Sequence, residues 1–71
     1  MDTSAQLAIK QALQGNWVEA IKLNEGILKD NPEDIDALNR LSRAHSEIGC
    51  IKKAKEAAQK VLKISPDNSI A

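Results

Sequence analysis

The stretch LNRLSRAHSEIGCIKKAKEAAQKVLKISP, residues 38–66, decides how this chain folds. Leu38, Leu41, Ala44 and Ile48, with Ile35 just upstream, recur at the three- and four-residue steps of one helix face. Gly49 interrupts the pattern, and glycine suits the left-handed conformation found just past a helix end. A second run, Ile51, Ala54, Ala58, Val61 and Leu62, continues at helical spacing until Ser65-Pro66. The spacing predicts two helices, about 34–48 and about 51–64, joined by a turn at Gly49.

The same punctuation lies upstream. Leu7, Ile9, Ala12 and Leu13 predict a helix over about 3–14 that ends at Gly15. Asn16-Trp17-Val18-Glu19 reads as a capping box, with Asn16 accepting from the backbone and Glu19 reaching back. A helix over about 17–30 follows, with Trp17, Ala20, Ile21, Ile27 and Leu28 on its buried side. Asn31-Pro32-Glu33-Asp34 stops it and opens the next, because proline fits a first helical turn and acids favour the positive end of the dipole. No strand-like alternation interrupts the series. The fold class is all-α, four helices with short connections.

A shift of 34 residues, the distance from Gly15 to Gly49, aligns Leu7 with Leu41 and Ala20 with Ala54. It also aligns Leu28-Lys29 with Leu62-Lys63 and Pro32 with Pro66. This pattern resembles the tetratricopeptide repeat, whose signature is W-x₂-L-G-x₂-Y…A-x₃-F…P. The second period matches as Leu38-x₂-Leu41-Ser42-x₂-His45, Ala54-x₃-Ala58 and Pro66. The first matches as Ser4-x₂-Leu7-Ala8-x₂-Gln11, Ala20-x₃-Asn24 and Pro32. The resemblance covers essentially the whole chain and implies two tandem antiparallel helix-turn-helix hairpins stacked as an α-solenoid fragment. The expected units are repeat 1 over 1–34, repeat 2 over 35–68, and 69–71 as the stub of a further helix.

Physical reasons support the alignment independently. Ala20 and Ala54 are small where paired helices should cross closely, and Leu7 and Leu41 should fill the groove between the helices of each hairpin. Ser42, His45, Ala58 and Asn24 depart from the signature by removing apolar contact or inserting a polar atom, so packing should be weaker than in ideal repeats. Gly26, inside a helix, costs about 1 kcal/mol relative to alanine.

Composition narrows the functional classes. The 71 residues hold 10 basic and 10 acidic side chains, 42% hydrophobic residues, one cysteine and one aromatic, Trp17. Such a chain is globular, and a domain this short buries only about 60% of its unfolded surface. It has no apolar run long enough to span a membrane, no secretory pattern at Met1-Asp2-Thr3-Ser4, and no Cys/His cluster for zinc. Neither a cofactor nor a metal site is expected, and a cytoplasmic location is the default reading. The basic helix of Lys52, Lys53, Lys55, Lys60 and Lys63 lacks stacking aromatics or a base-reading motif, so it reads as a solvated face and not a nucleic-acid site.

Enzymatic chemistry has little support. His45 is the single histidine, with Ser42 and Ser46 on the same predicted helix, and catalysis needs a converging nucleophile, base and orienter. Packing is the preferred role for His45, and for Trp17 at the start of an apolar stripe. Cys50, after the turn glycine, reads as an incidental surface thiol.

The resemblance directs attention instead to the first helix of each repeat, which in this family lines a concave groove for peptides or partner helices. The corresponding positions are Ala5, Gln6, Ile9, Ala12 and Leu13, then Asp36, Asn39, Arg40, Arg43 and Glu47. The Lys/Asn clamp with which some relatives bind acidic tails is not supported, since the first repeat offers Ala5 and Ile9 at the clamp-like places and the second offers Arg40. Arg40 and Arg43, one turn apart, could grip a carboxylate, although solvated or internally paired arginines are the plainer expectation.

Repeat arrays bury their cores by stacking at least three units, and two are visible here. The reading is a non-enzymatic protein–protein interaction module that self-associates, as a dimer through uncovered helix ends or by a domain swap. The alternative is a structural or engineered fragment of a longer array with no ligand of its own. Charge adds one expectation: residues 1–36 hold 3 Lys and 7 acids, net −4, and residues 37–71 hold 7 basic and 3 acidic residues, net +4. Contact between acidic and basic ends should weaken with salt, whereas salt-insensitive association would point to an apolar end.

Overall fold

The computed structural model describes residues 3–66. Helices α1 (Ser4–Leu13), α2 (Trp17–Asp30), α3 (Ile35–Glu47) and α4 (Ile51–Ile64) follow one another with short turns. Each packs against the next, and α1 also touches α3, so α1–α2 and α3–α4 form two stacked hairpins. Among the described residues α4 packs on α3 alone and no strand is present. The expected stub at 69–71 lies outside the described residues.

Local chemistry fixes the turns. Gly15 and Gly49 take φ of 77° and 86°, the left-handed region that glycine enters without a Cβ penalty. Around Gly15, the Gly15 N–H donates to the Ala12 carbonyl at 3.0 Å and the Asn16 N–H to the Gln11 carbonyl at 2.8 Å. Gly49 and Cys50 repeat both bonds onto Ser46 and His45, so each hairpin turns on a Schellman motif.

The expected Asn16–Glu19 capping box does not form. Asn16 is already the last residue of the Schellman motif, and its side-chain amide donates to Oε1 of Gln11 and Gln14 at 2.9 and 3.3 Å. Glu19 pairs with Lys22 instead. The capping box belongs to α1, where the Gln6 N–H donates to Thr3 Oγ1 and the Thr3 N–H to Gln6 Oε1. Asp34 caps α3 by accepting from the Ala37 N–H at 3.0 Å.

Alanine dominates the core: Ala8, Ala20, Ala37, Ala44, Ala54 and Ala57 are buried, with Ile21, Leu38 and Val61 as the larger apolar members. Small side chains allow the helices to approach closely. The Ser42 hydroxyl shows how closely, donating across the second hairpin to the Ala54 carbonyl oxygen at 2.9 Å. On α4 the alanine buried beside Ala54 is Ala57, not the expected Ala58. Helix α3 covers the side of α4 that carries Ala54, Ala57 and Val61, which leaves Ile51, Ala58 and Leu62 exposed. Ile48 falls just past α3 and is exposed as well.

Two polar side chains sit inside. Asn24 is fully buried and donates Nδ2–H to the Ala20 carbonyl at 2.9 Å, while its Oδ1 accepts from Arg40 Nε–H at 2.9 Å. His45 is 6% exposed, and its Nδ1 has no hydrogen-bond partner among the described residues. An unsatisfied buried polar atom costs about 1–3 kcal/mol. His45→Leu is therefore expected to raise stability by about 1 kcal/mol or more. Chemical denaturation of the pair of proteins checks this, and an unchanged or lower midpoint would show that the imidazole contributes a compensating contact.

Candidate functional site: a concave groove between the first helices

Stacking the hairpins sets α1 beside α3. The groove there, about 400 Å³, is lined by Ile9, Ala12, Leu13, Trp17, Arg40 and Arg43. Its apolar residues are open to solvent, with Leu13 83% exposed at the end of α1. A large aliphatic side chain left in water forgoes about 1.5–3 kcal/mol of burial, which a ligand packing on it would recover in part.

Arg40 and Arg43 supply the charge. Arg40 is half-buried and bound through Nε to Asn24, so it is paired within the protein as expected. Arg43 is exposed, donates Nε–H to Glu47 Oε2 at 3.2 Å and lies 6.0 Å from the centre of the Trp17 ring. Both close ion pairs among the described residues, Arg43–Glu47 and Lys22–Glu19, lie within single helices. Neither joins the acidic half to the basic half, and exposed pairs of this kind contribute little to stability.

Of the residues proposed from sequence, Ile9, Leu13, Arg40 and Arg43 meet in this groove, together with Ala12. The others do not line it. Gln6 is engaged in the α1 capping box, Glu47 serves as the partner of Arg43, and Asp36 and Asn39 are exposed on α3. Trp17, expected in the core, is only half-buried and forms one wall of the groove. Its position explains both tendencies: as the first residue of α2, just past the hairpin turn, it lines the groove together with Ala12 and Leu13 from the end of α1. Asn24 was not among the expected site residues, yet it holds Arg40. The available signal was a lone amide in the apolar stripe of Trp17, Ile21 and Leu28.

Other depressions carry less chemistry. A cleft of about 220 Å³ between α2, α3 and α4 is lined by Glu25, Leu38, Leu41, His45, Lys53, Glu56, Ala57 and Lys60. Its lysines and glutamates offset one another, and the hydroxyl of Ser42, one helical turn before His45, is engaged with the Ala54 carbonyl. Among the described residues no group of three His, Cys, Asp or Glu side chains could hold a metal, and no helix is long and apolar enough to cross a membrane. Cys50 is exposed.

Two stacked helical hairpins with an accessible face on their first helices define a helical-repeat protein. The family model described as tetratricopeptide repeat matches residues 11–71, and the chain belongs to that family of protein-interaction modules, which are generally non-catalytic. The searches of curated proteins and of solved structures returned no match.

Proposed function

We propose that this protein binds a peptide or protein partner in the concave groove of α1 and α3. The observation that carries the reading is the convergence of exposed Ile9 and Leu13 with Trp17, Arg40 and Arg43 in one depression. Ile9 and Leu13 contribute little to the core, so changing them isolates binding from folding. Peptides selected on the protein from a randomised library should lose most of their affinity for Leu13→Asp while its helical circular dichroism is unchanged. Equal capture by the variant would remove the groove from consideration.

Self-association is the second element of the proposal, and α4 favours it. Ile51 and Leu62 are 50% and 46% exposed, and Ala58 lies between them on the same stripe. Their counterparts 34 residues earlier, Trp17, Asn24 and Leu28, are half-buried or buried where α3 covers α2. Lysines 52, 53, 55, 60 and 63 outnumber the single glutamate of α4, Glu56, so two such helices would repel face to face. A second copy therefore meets α4 with its acidic half. Sedimentation should show association that weakens as salt rises from about 0.05 to about 0.5 M, where screening shortens sharply. Association that strengthens with salt would instead fit α4 pairing with itself.

A further inference from the structure

Gly26 sits inside α2 where nothing in the fold calls for glycine. Positive φ among the described residues is confined to Gly15 and Gly49. A Cβ at Gly26 would meet no neighbouring side chain or other helix within 4 Å. Glycine weakens a helix interior relative to alanine, so the absent side chain is a loss that nothing within the chain offsets.

The space above Gly26 belongs to a depression of about 450 Å³ between the start of α1 and the second half of α2. Ser4, Leu23 and Ile27 line it beside the glycine, with Lys22 and Asp30 one helical turn to either side. Leu23 and Ile27 are half-buried and keep part of their surface in water, and Lys22 is paired with Glu19 at 3.6 Å.

The exposed stripe of α4 has the complementary form. Ala58 is small, and the aliphatic Ile51 and Leu62 stand on either side of it. Small residues let helices cross closely, as Ala54 does within the second hairpin, where the Ser42 hydroxyl reaches its carbonyl oxygen. The charges are opposite as well. Residues 17–36 hold six acids and two lysines, net −4, and α4 holds five lysines and one glutamate, net +4.

Resting on the self-association reading above, we infer that α4 of one copy docks in the α1–α2 depression of a second copy. Ala58 crosses at Gly26, and Ile51 and Leu62 pack on Leu23 and Ile27. Gly26 determines the specificity of this contact, because any side chain there holds the two helices apart. The stripe and the depression are different surfaces of one chain, so the contact is head-to-tail: a copy that gives its α4 keeps its own depression free for another.

Gly26→Gln supplies a better helix former and fills the depression. At dilution where the parent chain is monomeric, the urea midpoint of this variant should rise. At higher concentration its dissociation constant in sedimentation should increase by about tenfold or more. Higher stability with weaker association is a combination that misfolding does not produce. Gly26→Ala should move both readouts in the same directions by less.

A mixing experiment then separates the two surfaces. Gly26→Gln keeps its α4, and the double variant Ile51→Gln/Leu62→Gln keeps its depression. Each alone should be monomeric, and an equimolar mixture should form a one-to-one pair. Association of Gly26→Gln as tight as that of the parent, or no pairing in the mixture, would overturn the docking site and leave self-association through α4 standing. A parent chain that does not associate, or whose association is indifferent to Ile51→Gln/Leu62→Gln, would overturn both.

Discussion

Replacing Leu38 by alanine is expected to lower the unfolding free energy by about 3 kcal/mol and to leave the chain largely unfolded near physiological temperature. Leu38 is 2% exposed and is the largest fully buried apolar side chain, in a core otherwise built mostly of alanines. Small alanines bring helices together but bury little area each, so one leucine carries an outsized share of the apolar burial. A domain of this size rarely has more than about 3–5 kcal/mol in reserve. Urea titration followed by circular dichroism measures the loss. A cooperative transition within about 1 kcal/mol of the parent protein would mean that the core is organised elsewhere.

The opposite error, adding volume, is expected to be nearly as damaging at Ala54. This residue lies where α4 approaches α3 closely enough for Ser42 Oγ to donate to its carbonyl oxygen at 2.9 Å. Overpacking a close helix crossing costs about 1–3 kcal/mol. Ala54→Leu must also separate the helices and break the Ser42 bond, which leaves a partly buried hydroxyl and carbonyl to find new partners. The urea midpoint should fall well below that of the parent. A control variant, Gln59→Leu, enlarges the apolar surface at an exposed position five residues further along the same helix, outside the stripe of Ile51, Ala58 and Leu62, and should leave the midpoint almost unchanged. If the two variants lose equal stability, the close crossing at Ala54 is not the reason.

These contrasts also mark how far the sequence could be read. The four helices and their turns were legible because they rest on local chemistry: Gly15 and Gly49 at positive φ, Pro32 opening a turn, and apolar residues at helical steps. Ala20 and Ala54 were legible because a repeated small residue at a fixed place in two hairpins has a packing reason. Choosing between Ala57 and Ala58 was not possible from composition, since two identical neighbours differ only in which helix covers them.

The candidate groove was partly legible. Ile9, Leu13, Arg40 and Arg43 could be placed on one surface through the repeat, whereas Gln6 and Glu47 turned out to be engaged within or between neighbouring turns of their own helices. The Asn24–Arg40 bond joins residues in different hairpins, so it depends on the stacking geometry and not on local spacing. Asn16 failed as a cap because a turn this short makes one residue serve the end of α1 and the start of α2 together. His45 is the remaining oddity, a buried imidazole with one nitrogen unpartnered among the described residues.

The most direct test is to map the amide chemical shifts of the protein as a library-selected peptide is added. Binding at the concave face predicts the largest changes along α1 and α3, around Ile9, Leu13, Arg40 and Arg43, with the Trp17 indole N–H shifting in parallel. Changes confined to the cleft of Glu25, His45 and Lys60, or to the α4 stripe of Ile51 and Leu62, would contradict it.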